Sequence, residues 1–114
     1  IKLFAIYFDE LDELYQVLGS NVKIVTPHRK GDFNADLSVV RGASEYGPTL
    51  AGRDSRVRIK NPYIVVEVLS KGTRRFDMSG KLLEYQNVPS LHYVVFVDQQ
   101  AVSAWVYART DQPN

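Results

Sequence analysis

Between residues 4 and 18, apolar side chains recur at Ala5, Phe8, Leu11, Leu14, Tyr15 and Leu18, while Asp9, Glu10, Asp12, Glu13 and Gln16 fall on the other side. Spacings of three and four predict an amphipathic helix, stopped by Gly19-Ser20-Asn21. Asn21 to Thr26 alternates as a short strand ended by Pro27, and the polar stretch His28 to Asn34 reads as a loop. Ala35 to Val40 reads as another strand, with Asp36, Ser38 and Val40 on one face. Residues 41–56, rich in Gly, Ser and Arg, predict a long loop. Tyr63 to Leu69 is the strongest strand signal, β-branched almost throughout and apolar on both faces except at Glu67. That is the pattern of a central strand covered on both sides. From Thr73 to Val88 the period is helical again, with Phe76, Leu82, Leu83 and Tyr85 apolar. Leu91 to Val97 and Ala101 to Tyr107 read as two further strands, joined by a turn at Asp98-Gln99-Gln100. The order predicts an α/β domain with helices packed on a sheet.

Composition narrows this picture. With 114 residues, 45% hydrophobic and 24% charged, the chain is expected to form one globular domain over residues 1–114 rather than a disordered one. The absence of Cys excludes disulfides, thiolate zinc sites and a cysteine nucleophile, and fits a reducing compartment. No run is long and apolar enough for a membrane helix, and the first residues lack the order of a signal peptide, so a soluble cytoplasmic domain is expected. The net charge of +1 selects no partner. Locally the balance differs: residues 51–81 carry eight basic side chains against three acidic ones, flanking the strand that holds Glu67. Such a segment suits a polyanion that needs a divalent cation, although a solvated face explains it equally.

Three residues stand out chemically. A carboxylate inside a doubly covered strand is costly unless paired, so Glu67 is either half of a structural ion pair or a metal ligand or acid/base. Asp36, opening a strand of apolar and small residues, is by itself a turn-closing or capping residue as readily as a ligand. Lys81 lies four residues after Asp77, where an ordinary helical ion pair is the plain reading. Tyr85, one turn further, reads as a packing residue with its hydroxyl in water. His28 and His92 have no partnering pattern, and there is no Gly-rich phosphate loop or nucleophile elbow.

Read together, Asn34-Ala35-Asp36-Leu37-Ser38-Val39-Val40, then Asn61-Pro62-Tyr63-Ile64-Val65-Val66-Glu67-Val68-Leu69-Ser70, then Thr73, Asp77, Lys81 and Tyr85 form a string. It resembles the Uma-two family of restriction-endonuclease-like proteins, within the PD-(D/E)XK nuclease superfamily. Pro89-Ser90-Leu91 and the strand Tyr93 to Asp98 continue the resemblance, which runs over about residues 34–110. It implies a restriction-endonuclease-like core, a mixed central β-sheet flanked by α-helices. Asp36 matches the family's first metal-binding aspartate and Glu67 the glutamate of its second motif. The superfamily's lysine two residues after that glutamate is Leu69 here, and Lys81 sits where a lysine migrated to the following helix is expected. Ala35 stands where a proline usually precedes the aspartate, and the family's N-terminal portion ahead of the first helix is not matched.

The resemblance implies a metal-dependent DNA endonuclease. Asp36, Glu67 and the Val68 carbonyl are hard oxygen ligands for Mg²⁺ (or Mn²⁺), and Lys81 is the catalytic cation, held by Asp77. Ser70 and Thr73 offer hydroxyls and amides to a phosphate, Tyr85 supports the same helix face, and Arg58, Lys60, Lys71, Arg74 and Arg75 meet the DNA. A homodimer is the expected means of cutting both strands. The other reading is a catalytically inactive nuclease-fold module for nucleic-acid binding or oligomerisation, its terminal strands with Tyr93, Trp105 and Tyr107 pairing with a second copy. An unrelated α/β fold would instead leave the two carboxylates apart.

Overall fold

A computed structural model describes residues 14–26, 33–48, 54–69, 74–100 and 103–110. Its strands are β1 (Tyr15–Leu18), β2 (Lys23–Ile24), β3 (Leu37–Arg41), β4 (Tyr46–Pro48), β5 (Asp54–Ile59), β6 (Pro62–Leu69), β7 (Tyr93–Asp98) and β8 (Ser103–Ala108). One helix, α1 (Arg74–Tyr85), links β6 to β7. The main sheet has the order β1-β3-β6-β7-β8, and β2-β5-β4 form a smaller one. In the main sheet β6 and β7 run parallel and the other pairs antiparallel, so it is mixed. A parallel pair needs a crossover connection, and α1 supplies it.

The Val-rich run Pro62–Leu69 becomes the middle strand because both of its faces are apolar and both need cover. On one face Val40, Val65, Leu69, Val94 and Phe96 pack with Ile24 and Ile59 of the smaller sheet, with Tyr85 of α1, and with Val88 and Leu91. On the other, Leu37, Val39, Ile64 and Val66 form a second cluster, edged by Tyr15, Val17, Tyr63, Val95 and Val97. A bulge at Val39/Val40, where Val39 pairs with Ile64 and Val40 with Pro62, leaves Tyr63 as the extra residue.

Three expectations are corrected. The helix predicted over residues 4–18 does not extend to Tyr15–Leu18, which is strand β1; residues 4–13 lie outside the described residues. Tyr15 and Val17 pack against the second cluster and Leu18 against the first, so this stretch has a strand's alternation. The loop predicted over 41–56 contains β4 and the start of β5, which pair antiparallel with each other. Leu83, expected to be apolar and inward, is 65% exposed, because the buried stripe of α1 runs through Met78, Leu82 and Tyr85. Flanking helices were expected on the sheet; among the described residues there is one. None there is long and apolar enough to cross a membrane.

The C-terminal end of α1 is held from β8's far end. Arg109 donates from Nε to Leu91 O (2.8 Å) and from Nη2 to Gln86 O (3.1 Å) and Val88 O (2.9 Å). These carbonyls lie just past the helix, and a cation there satisfies them and opposes the helix's negative end. Arg109→Ala is expected to lower stability by about 2 kcal/mol, read as a fall in denaturant midpoint; an unchanged midpoint would refute this capping role.

Candidate active site

The site is built at the C-terminal end of β6. Its register with β3 sets Leu37 opposite Val66, so Asp36, just ahead of β3, lies at the end of β6 that carries Glu67. Asp36 Oδ2 accepts a hydrogen bond from Val68 N–H at 2.7 Å. A strand residue directs its N–H and C=O to the same side, so the Val68 carbonyl also faces Asp36. Asp36 thus meets the residue next to Glu67 in β6.

Glu67 points to the face that carries Val65 and Leu69 and is 2% exposed. Lys81 reaches it from α1, Nζ to Oε2 at 2.5 Å, with its own side chain 32% exposed. Lys81 thus pairs across the fold with the buried glutamate. The expected Asp77 contact falls on a side chain outside the described residues, as do those of Arg74 and Arg75. Ser70, Lys71 and Thr73 lie outside the described residues entirely.

Tyr85 departs from expectation: it is fully buried, ring to ring with Phe33 at 4.9 Å between centroids, and its hydroxyl is not at the surface. Its packing helps fix the helix that carries Lys81. Arg58 and Lys60 are not brought to the carboxylates. Arg58 is near the end of β5 and Lys60 follows that strand, both just before β6 begins, at the opposite end of β6 from Glu67. Asp98 is a buried acid that sequence reasoning placed only in a turn. It ends β7 opposite Leu69 and accepts from Gln100 N–H at 2.9 Å. A carboxylate closing an apolar strand was the available signal.

Asp36, Glu67 and the Val68 carbonyl offer hard oxygens, the donor class that Mg²⁺ and Mn²⁺ select. Among the described residues no three His, Cys, Asp or Glu side chains come together to hold a metal ion. A cation here would draw on two carboxylates, one carbonyl and water, which is how Mg²⁺ is commonly held. The oxygens fit that group, and Lys81 at Glu67 fills the electrostatic role between them.

The Uma2 family, described as "Putative restriction endonuclease", matches residues 1–113, which extends the likeness beyond residues 34–110. An uncharacterized protein of Synechocystis sp. is 24% identical over 88 residues, covering 77% of this chain and 47% of its own length. The crystal structure of "a putative nuclease belonging to DUF820" from Anabaena variabilis superposes with a TM-score of 0.70 at 11% identity. That superposition covers 98% of this chain and 59% of the other, and it shows a shared nuclease-like fold. The chain spans about half the length of the Synechocystis relative and three-fifths of the Anabaena one.

Proposed function

This chain belongs to the Uma2 family, and on that premise we propose that it is a divalent-cation-dependent endonuclease hydrolysing phosphodiester bonds in DNA. The observation that carries the reading is the convergence of Asp36 and Glu67 at one strand end with Lys81 on the buried carboxylate. Three residues distant in sequence thus meet at one end of β6, two acids with Lys81 paired to the buried one. Bound Mg²⁺ or Mn²⁺ would supply an acidified water and neutralise charge on the scissile phosphate.

The chain's own residues divide the remaining work. Asp36 and Glu67, with the Val68 carbonyl, would hold the cation, and the Val68 N–H fixes the Asp36 carboxylate by donating to its Oδ2. Lys81 pairs with the buried Glu67 before substrate arrives. Its ammonium is partly exposed, so it can turn to a phosphate and stabilise the charge that develops there. The face bearing Val65, Leu69 and Phe96 excludes water behind Glu67 and strengthens each of these contacts. Arg74 and Arg75, which open α1 ahead of Lys81, are better placed in the chain to meet DNA than Arg58 and Lys60.

The test is supercoiled plasmid incubated with the purified chain, with and without Mg²⁺ or Mn²⁺, beside Asp36→Ala. Nicking that needs the metal and falls at least about 100-fold in the variant is expected. Cleavage that survives both metal removal and Asp36→Ala would refute the assignment.

One observation favours a second reading, a nuclease-fold module that associates without cutting. The six residues of β8 form an uncharged edge strand, all exposed, with Val106 at 63% beside Trp105 and Tyr107. Those aromatics are not core residues, and an unprotected edge pairs readily with another strand. This reading expects no metal-dependent nicking and a homodimer by light scattering.

A further inference from the structure

The floor of the same site holds a polar group that the chemistry above leaves unused. Ser38 is 1% exposed, in β3, two residues after Asp36. It is opposite Val65 on β6 and Leu18 on β1, so its strand neighbours on that face are apolar. Its hydroxyl meets no protein hydrogen-bond partner. A buried hydroxyl left unpaired is less favourable than an alanine at the same place, so packing alone gives no reason for serine here. A second such hydroxyl, Thr26, follows β2 in the smaller sheet and shares no register with Asp36 or Glu67.

The register supplies the reason. Asp36 is two residues along the strand and Glu67 is Ser38's diagonal neighbour across the β3–β6 pair, each about 7 Å away between Cβ atoms. That separation matches one bridging water joining a hydroxyl to two carboxylates. We propose that Ser38 is a positioning residue of this site, its hydroxyl fixing the Asp36 and Glu67 carboxylates through one water in the geometry that receives the cation. The inference rests on the cation-dependent nuclease reading. Ser38 touches neither substrate nor cation, and acts through the two ligands.

The experiment is calorimetric titration of the full chain with Mn²⁺ alone, for wild type, Ser38→Ala and Ser38→Thr, with metal-free thermal unfolding of each. Ser38→Ala is expected to unfold at or above the wild-type temperature yet bind Mn²⁺ about 10-fold more weakly. Ser38→Thr, which keeps the hydroxyl in a strand that favours β-branched residues, is expected to bind like wild type. Ser38→Ala binding Mn²⁺ as tightly as wild type would overturn the inference, whatever its unfolding temperature, and leave the nuclease reading standing. A wild-type chain that binds no Mn²⁺ would overturn that reading and this inference with it.

Discussion

Lys81→Met should lower stability by about 3–5 kcal/mol, a fall of roughly 10–20 °C in unfolding temperature for a chain this size. Glu67→Gln should lower it by only about 1 kcal/mol. The asymmetry comes from where the two ends of the ion pair sit. Glu67 is 2% exposed, so removing its cation strands a negative charge in the interior. Lys81 is a third exposed on a long flexible stem, so removing its partner lets the ammonium turn to water. Gln also keeps an oxygen for Lys81 to meet. The double variant, with neither charge, should recover most of what Lys81→Met loses, because a neutral pair has nothing left to desolvate. Thermal unfolding of the four proteins gives the coupling directly. If Lys81→Met melts with the wild type, the pair does not hold Glu67 in the folded chain.

The second large effect separates stability from chemistry. Glu67→Gln should fold and unfold nearly as wild type does, yet cut plasmid DNA in Mg²⁺ or Mn²⁺ at least about 100- to 1,000-fold more slowly. The amide is the same shape as the carboxylate and fills the same space beside Phe96, the residue opposite it on β7. Only the negative charge is lost, and with it one of two anionic oxygen donors at the end of β6. The double variant with Lys81→Met sharpens the test, since it should regain stability without regaining cleavage. A structural ion pair predicts the reverse, with cleavage following stability through all four proteins. Rates measured at a temperature where every variant is folded distinguish the two.

Much of the frame was legible because it rests on local pattern. A run that is β-branched and apolar on both faces can be satisfied only in the middle of a sheet, and Pro62–Leu69 is the middle strand. Helical spacing after it marked α1 to within a few residues of Arg74–Tyr85, and alternation marked β7 and β8. Where the pattern misled, the deciding contacts were distant. Tyr15–Leu18 continues a helical spacing on paper, yet β3 presents an open edge and the face of Leu37 and Val39, and the stretch becomes its neighbour strand. The short strands β4 and β5 carry turn residues and charge, so only their pairing with each other defines them.

The candidate site divides the same way. The amino-acid sequence by itself determined which residues have chemistry to offer: an acid at the head of one strand, an acid inside an apolar strand, a lysine on the next helix. It also determined the family, through the order and spacing of those residues. It left Glu67 open between ion pair and ligand, and Lys81 open between Asp77 and a role in the site. Tertiary structure alone decided that Asp36 meets the Val68 N–H beside Glu67, that Lys81 reaches Glu67, and that Tyr85 is buried. It also placed Arg58 and Lys60 at the far end of β6 and Ser38 on the site's floor. The physical reason is range. Periodicity reports what a residue does within its own element, whereas pairing of charges and burial of a hydroxyl depend on which element lies across from it, and that is settled only when the sheet closes its register.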